Sequence, residues 1–222
     1  MMATGAPQLD PNAFLRDHTE LLAPPLIPEI RLYQATEVTE LWQATEATLE
    51  ALELPPPFWA FAWAGGQALA RFILDNPAPV RGKRILDFAT GGGLVAIAAA
   101  QAGAARVTAC DIDRFAIAAA EANAAANGVT LELVTEDLVG GPNRGWDMIF
   151  AGDICYEKEP AERMIAWLRE MAADGTPVYL GDPMRTFMPK TGLVELARYS
   201  VPTTRAIEDS DVRNARVWRV LP

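Results

Sequence analysis

The stretch Arg84-Ile85-Leu86-Asp87-Phe88-Ala89-Thr90-Gly91-Gly92-Gly93 decides the fold of this chain. It predicts a short strand buried on both faces, then a glycine turn, then a helix over Leu94–Gln101. Glycines allow a tight turn and let another molecule approach the backbone closely. The N–H groups at the start of the helix point toward that molecule. The stretch therefore predicts a nucleotide-like ligand at the carboxyl end of a parallel strand.

The spacing within the turn separates two kinds of ligand. The dinucleotide fingerprint is G-x-G-x-x-G, whereas here Asp87 is followed by Ala89, Gly91 and Gly93 at alternate positions. This pattern resembles the D-x-G-x-G-x-G motif of class I S-adenosylmethionine (SAM)-dependent methyltransferases, with Ala89 in place of the first glycine. The resemblance implies SAM as the cofactor and these four residues as part of its site. The glycines alone also fit a plain strand–helix turn.

Length and charge limit the classes of protein. A chain of 222 residues favours one domain, which we divide into an N-terminal helical extension, residues 1–80, and a Rossmann-like core, residues 81–222. The net charge of −10 argues against sequence-independent nucleic-acid binding and favours a cationic partner. No apolar run approaches the roughly 18 residues of a membrane span, and the N-terminus resembles neither a signal nor a transit peptide. We expect a cytoplasmic monomer.

Cysteine and histidine usage gives no sign of a metal site. Cys110 and Cys155 each end an apolar run, so we expect buried thiols in a reducing compartment. The single histidine, His18, lies in a polar stretch far from both cysteines in sequence. We therefore expect neither a zinc site nor a nucleophilic cysteine.

Strands and helices alternate after the glycine turn. The predicted strands are Arg106–Cys110, Thr130–Thr135, Trp146–Phe150, Thr176–Leu180, Arg198–Thr203 and Ala215–Leu221. The predicted helices are Arg114–Asn127, Pro160–Ala172 and the short Gly192–Ala197, with Asn12–Leu22, Thr36–Leu52 and one ending near Leu74 upstream, and an extended piece at Ile30–Tyr33. The fold class is α/β, a seven-stranded Rossmann-like sheet. A terminal hairpin on such a sheet is typical of class I methyltransferases.

Acids that follow the next two strands are candidates for the rest of the cofactor site. Asp111 ends the second strand, 24 residues after Asp87, about the spacing at which an acid reaches a ribose hydroxyl pair. A carboxylate accepts two O–H donors at once. We expect Ile112 to pack on the adenine, Asp137 to accept from its amino group, and Asp113 to cap the next helix.

An aromatic segment precedes the glycine turn. In Phe58-Trp59-Ala60-Phe61-Ala62-Trp63-Ala64-Gly65-Gly66-Gln67, at least two aromatic rings are expected to pack in the core. Trp63, Gly65 and Gln67 are candidates for one wall of the pocket, because a flat ring and an amide suit a methionine tail and a sulfonium.

The motif Asp153-Ile154-Cys155-Tyr156 follows the fourth strand, beside the point where such sheets bind substrate. This D-x-x-Y resembles the post-strand motif of seven-strand protein-lysine methyltransferases. With the aromatic segment and the tail Val201-Pro202-Thr203-Thr204-Arg205…Val217-Trp218-Arg219, the chain is most similar, from about Phe14 to Leu221, to the bacterial form of the electron transfer flavoprotein β-subunit lysine methyltransferases.

The resemblance implies methyl transfer from SAM to lysine side chains of a protein, with flavoprotein or ribosomal-protein lysines as candidate targets. We expect Asp153 to capture and aim the lysine and Tyr156 to help orient it, with Glu157, Glu159 and the acids at 208–211 lining the approach of a basic segment. Two alternatives remain: a methyltransferase for small amines or pyridines of the nicotinamide kind, and a SAM-binding domain without turnover. The acids of the approach fit a solvated surface equally well, and Asp153 also fits a loop turn.

Overall fold

The computed structural model describes residues 10–36, 56–203 and 210–222. We number its elements in chain order. The helices are α1 (Pro11–His18), α2 (Ala64–Asp75), α3 (Leu94–Gln101), α4 (Arg114–Ala126) and α5 (Lys158–Ala173). The strands are β1 (Glu20–Leu22), β2 (Leu32–Gln34), β3 (Arg84–Phe88), β4 (Arg106–Cys110), β5 (Glu132–Val134), β6 (Met148–Gly152), β7 (Val178–Asp182), β8 (Leu193–Pro202) and β9 (Val212–Val220).

Seven strands form one sheet in the order β5-β4-β3-β6-β7-β9-β8. Five neighbouring strands, β5, β4, β3, β6 and β7, are parallel to one another. Strand β9 lies between β7 and β8 and pairs antiparallel with both. This architecture confirms the predicted Rossmann-like α/β sheet with its terminal hairpin. The β3 strand lies between β4 and β6, so the connections of the sheet diverge at its carboxyl end.

Helices cover both faces of the sheet, as parallel strands require. Two consecutive residues of β3, whose side chains point to opposite faces, show this: Ile85 packs with α2 and α3, whereas Leu86 packs with α5. Both side chains are almost completely buried. In the part of the chain that the structure describes, no helix is long and apolar enough to cross a membrane.

The terminal hairpin corrects one prediction. We expected a short helix over Gly192–Ala197, but β8 begins at Leu193, which pairs with Val220 of β9. The apolar residues there are too few to separate a helical period from strand alternation, and pairing with β9 decides for a strand. A register shift between Glu195 and Ala197 obscures the alternation further.

One predicted helix in the described part of the N-terminal extension is shorter than expected. The helix expected over Asn12–Leu22 ends at His18, and β1 and β2 then form an antiparallel pair. The helix expected over Thr36–Leu52 lies, apart from Thr36, outside the described residues.

Asn123 in α4 and Asn127, which caps the end of α4, attach the extension to the core. The Oδ1 of Asn123 accepts from the Tyr33 amide at 2.7 Å, and its Nδ2 donates to the Gly92 carbonyl at 2.8 Å. Asn127 accepts from the amide of Arg31 and donates to the carbonyl of the same residue. The extension is therefore bonded to α4 beside the glycine turn, which supports our proposal of one domain over 1–222.

Candidate active site

A cavity of about 700 Å³ lies where the carboxyl ends of β3, β4 and β6 meet. Its volume falls in the range of about 300–1,000 Å³ that small-molecule sites occupy. Most of its wall is apolar, and acids reach it from three strand ends, with Asp111 after β4, Asp137 after β5 and Asp153 after β6. The cavity therefore lies at the switch point of the sheet, where α/β proteins bind ligands.

The turn after β3 has little room for side chains. The angle φ is 54° at Ala89 and 82° at Gly93, both in the left-handed region. A Cβ atom at Gly92 would lie 2.8 Å from the Trp59 carbonyl oxygen, and one at Gly93 would lie 3.0 Å from the Ala120 Cβ. Glycine is therefore required at 92 and 93 for space, whereas Ala89 adopts a conformation that costs an L-residue about 1–2 kcal/mol.

We expect Ala89→Gly to raise the free energy of unfolding by up to about 1 kcal/mol, because relief of the left-handed strain exceeds the entropy that glycine adds to the unfolded chain. The matched variant Gly93→Ala should lower the free energy of unfolding by about 2 kcal/mol. Its side chain would add left-handed backbone strain and would also crowd the Cβ of Ala120. Urea unfolding measures both. A destabilised Ala89→Gly would contradict the left-handed geometry at this residue.

Asp87 lies beneath the turn, not on the cavity wall. Its side chain is buried, and its Oδ2 accepts from the Thr90 hydroxyl at 2.5 Å and from the Ala96 amide at 2.9 Å. Burial raises the pKa of Asp87 to about 7. Asp87 thus fixes the turn and the start of α3 to β3, so any part it has in cofactor binding acts through the turn.

Asp111 lines the cavity, and backbone donors hold its carboxylate. Its Oδ2 accepts from the Gly91 amide at 2.9 Å, and its Oδ1 accepts from the Asp113 amide at 3.1 Å. Each oxygen keeps lone-pair capacity for a ligand hydroxyl. Burial raises the pKa of Asp111. Asp113 caps α4, as predicted, by accepting from the Phe115 amide.

The two residues predicted to contact the adenine also line the cavity. Ile112 is 75% exposed, so it offers an uncovered apolar surface. The Asp137 carboxylate is partly occupied, because it accepts from the Val139 amide at 3.0 Å and forms an ion pair with Arg163. The Val139 amide, with Arg163, lowers the pKa of Asp137. Asp137 is thus charged and can accept a further donor.

The aromatic segment contributes Trp63 to the cavity wall. The Trp63 indole N–H donates to the Phe58 carbonyl at 2.8 Å, which fixes the ring. Gly65, at the start of α2, does not line the cavity, and a Cβ there would lie 2.3 Å from the Gly181 carbonyl oxygen. This glycine instead lets α2 approach the end of β7.

The expectation that Gln67 forms part of the pocket wall is corrected by the structure. Gln67 is buried, and both ends of its amide are used: Nε2 donates to the Ala62 carbonyl at 2.6 Å, and Oε1 accepts from the Leu26 amide at 3.2 Å. A buried amide with both ends bonded holds chain segments together. Gln67 therefore connects the chain at Leu26 to the segment that carries Trp63.

Asp153 reaches the cavity from a left-handed backbone, with φ at 57°. Its Oδ2 accepts from the Gly66 amide at 2.7 Å. Its Oδ1 accepts from Arg185, at 2.9 Å from Nη2 and 3.2 Å from Nε. Only 8% of the residue is exposed. Backbone strain at a buried carboxylate on a cavity wall is a feature of functional sites.

Tyr156 lies at the mouth of the cavity and is 46% exposed. Its ring centroid lies 5.1 Å from that of Phe58, and Phe58 in turn contacts Trp63 at 6.2 Å. Desolvation, with Glu157 next in effect, raises the pKa of Tyr156. The phenol is therefore neutral near pH 7, and the three rings form an aromatic edge along one side of the opening.

Sequence reasoning missed Asp182 and Arg185. Asp182 is completely buried at the end of β7, and its Oδ1 accepts from the Arg185 amide at 2.6 Å. Its Oδ2 has no hydrogen-bond partner among the described residues. The available signal was the run Gly181-Asp182-Pro183 at a strand end, but an acid there does not reveal an arginine that points to Asp153.

The buried Asp182 should make stability depend on pH. Desolvation, with Asp153 next in effect, raises its pKa from 3.8 to about 7. The folded state then holds a proton that the unfolded state has lost, so this stabilisation is full below about pH 4 and is lost as pH rises through about 7. Asp182→Asn should reduce the fall in the free energy of unfolding between pH 5 and 8 by about 3 kcal/mol, as measured by urea unfolding at each pH. Parallel curves for wild type and variant would contradict the shift.

Across residues 10–36, 56–203 and 210–222, no group of three or more His, Cys, Asp or Glu side chains could hold a metal ion. Cys110 and Cys155 are buried free thiols. Burial raises the pKa of Cys110 to about 11 and that of Cys155 to about 12, so neither is a thiolate near pH 7.

Comparisons with known proteins agree with this geometry. The protein-family model described as ribosomal protein L11 methyltransferase (PrmA) matches residues 69–177. The electron transfer flavoprotein beta subunit lysine methyltransferase of Xenopus laevis is 38% identical over 218 residues, covering 96% of this chain and 87% of that protein. The Danio rerio protein of the same name is 36% identical over 217 residues, covering 95% and 83%.

A solved structure shares the fold at low sequence identity. Magnesium protoporphyrin IX methyltransferase (ChlM) from Synechocystis PCC 6803, crystallised with bound SAM, superposes with a TM-score of 0.53 at 16% identity. The match covers 97% of this chain and 99% of that chain. It extends the similarity of fold beyond the part matched by the family model.

Proposed function

The chain belongs to the family of electron transfer flavoprotein β-subunit lysine methyltransferases, and from this membership we propose that it methylates lysine side chains of an electron transfer flavoprotein β subunit. It is a SAM-dependent methyltransferase with a protein substrate. The observation that carries the proposal is the pair of acids on one cavity, Asp111 for the cofactor and Asp153 for the amine.

The cavity has the features that SAM requires. A carboxylate with free acceptor capacity, Asp111, suits the ribose hydroxyls, and the exposed face of Ile112 suits the adenine. Asp137 remains an acceptor for the adenine amino group, and Trp63 offers a ring to the methionine end. When bound, SAM supplies an electrophilic methyl group on a sulfonium. The glycine turn, held by Asp87, admits the ligand close to the backbone.

The substrate lysine must lose a proton before it reacts. Its pKa is about 10.4, so about one side chain in 2,500 is neutral at pH 7, a cost of roughly 4–5 kcal/mol. Asp153 captures and aims the lysine, and Tyr156 with its aromatic neighbours orients the alkyl chain. Holding the amine at attack distance supplies much of the remaining acceleration.

The surroundings of the opening suit a basic protein segment. Glu157 and Glu159 line the cavity and are exposed, and the chain carries a net charge of −10. Electrostatic attraction of this kind raises the rate of encounter with a cationic surface. Of the acids predicted at 208–211, Glu208 and Asp209 lie outside the described residues. We propose a monomer that binds neither nucleic acid nor membrane.

Tritiated SAM tests the proposal. The enzyme is incubated separately with purified electron transfer flavoprotein, with ribosomal protein L11, and with a low-mass extract fraction. We expect label in the flavoprotein β subunit, at lysines that mass spectrometry then identifies. Label in L11 alone would assign the activity named by the family model. Label only in small molecules would favour the amine alternative, and no transfer despite SAM binding would favour a domain without turnover.

A further inference from the structure

Arg185 forms an ion pair with the carboxylate that we assign to lysine capture. Its Nη2 lies 2.9 Å from the Asp153 Oδ1, and the two side chains are only 17% and 9% exposed. The Arg185 guanidinium carbon also lies 5.3 Å from the centroid of the Trp63 ring. Arg185 itself lines the cavity. A lysine that enters the site therefore meets an ion pair and not an isolated carboxylate.

The pair is held in place from behind. The Gly66 amide, in the first turn of α2, donates to the second oxygen of Asp153. The Asp182 carboxylate accepts from the Arg185 backbone amide at 2.6 Å. Met184, between them in sequence, adopts a left-handed backbone with φ at 70°. The loop after β7 is thus bent so that the Arg185 side chain turns toward Asp153.

Other titratable groups line the same cavity or lie beside the pair. Those on the cavity wall are Asp111, Asp113, Glu136, Asp137, Tyr156, Glu157, Glu159 and Arg163. Cys155 and Asp182 lie beside the pair. Burial raises the pKa of Cys155 to about 12 and raises that of Tyr156, so both are neutral near pH 7. Asp182, with a pKa of about 7, adds negative charge as pH rises and increases the need for a counter-charge.

Arg185 counteracts an unfavourable effect that the Asp153 carboxylate would have on the substrate amine. An unpaired carboxylate would stabilise the lysine ammonium and oppose loss of its proton. Resting on the proposed function, we propose that Arg185 is a positioning residue that neutralises Asp153, so that the substrate amine is aimed by a carboxylate without being held in its charged form.

The chemical step balances with water as the only other reactant. The lysine ammonium donates one N–H···O hydrogen bond to Asp153 and transfers a different proton to water, which leaves a neutral amine. Its nitrogen lone pair then forms the N–C bond while the C–S bond breaks, and the bonding pair goes to sulfur. Arg185 acts before this step, by raising the fraction of neutral amine.

Arg185→Gln tests the inference through the single-turnover rate as a function of pH, between pH 6 and 10.5, with SAM and flavoprotein saturating. We expect the pH of half-maximal rate to rise by about one unit, so that the rate falls about tenfold at pH 7.5 and meets that of the wild type near pH 10. Arg71→Gln is the control, because it removes the same charge from an ion pair with Glu29 and Asp75 that does not line the cavity.

The double variant Asp153→Asn/Arg185→Gln removes both charges and leaves neither one buried alone. Its rate should be low at all pH values, but the pH of half-maximal rate should lie close to that of the wild type. A profile for Arg185→Gln that is reduced uniformly, without a shift, would overturn the inference. An equal shift in the single and double variants would do so as well. If the wild type labelled no protein, the proposed function itself would have failed.

Discussion

Asp111→Ala is expected to weaken SAM binding by about 100-fold, as measured by isothermal titration calorimetry. Asp111 is the carboxylate on the cavity wall that two backbone amides already orient. Loss of charge-assisted bonds to two ribose hydroxyls, at about 1.5–3 kcal/mol each before compensation by water, accounts for a loss of this size. The SAM affinity of Asp111→Asn should lie between that of Asp111→Ala and that of the wild type, because the asparagine amide oxygen can still accept a hydrogen bond from one hydroxyl.

A matched control removes the same charge elsewhere. Glu121 is exposed on α4 and does not line the cavity, so Glu121→Gln should leave the affinity unchanged. Far-ultraviolet circular dichroism checks that the variants are folded. This check is needed because Asp111 also accepts a hydrogen bond from the Gly91 amide. Unchanged affinity in a folded Asp111→Ala protein would remove this residue from the cofactor site.

The sequence predicted those parts of the site that depend on neighbours in the chain. The glycine turn, the α3 helix and the cap at Asp113 follow from local spacing, and the structure contains each of them. The position of Asp111 on the cavity wall could be predicted because a strand–helix–strand unit fixes where the next strand ends. Such features need only the hydrogen-bond geometry of helices and turns.

Features that join distant segments were missed. Arg185 pairs with Asp153 across the ends of β7 and β6, and nothing in either local sequence encodes that contact. Gln67 was assigned to the pocket because an amide beside a flat ring suits a methionine tail. Its amide instead accepts from the backbone of Leu26, which is distant in sequence. The strand β8 was missed at its start because β9, not its own residues, determines its conformation.

Asp153→Asn is expected to lower kcat/KM for protein methylation by at least about 100-fold while SAM binding stays normal. Asparagine tolerates the left-handed backbone that Asp153 adopts, and its Oδ1 can still accept from the Gly66 amide. The variant therefore keeps the backbone turn and the Gly66 hydrogen bond and removes the charge that captures the lysine. Loss of the Asp153 charge also leaves the positive charge of Arg185 less balanced on the cavity wall, which disfavours the arriving ammonium.

Asp153→Ala separates the chemical role from the structural one. It should lower activity to the same extent, but it should also destabilise the fold by about 3 kcal/mol, because the Gly66 amide and the Arg185 guanidinium both lose the carboxylate oxygens of Asp153. Methylation by radiolabel transfer and stability by urea unfolding, measured on both variants, distinguish the two effects. Full methylation by Asp153→Asn would show that Asp153 holds the loop after β6 and does not act on the lysine; loss of methylation at unchanged stability would leave capture of the amine as its function.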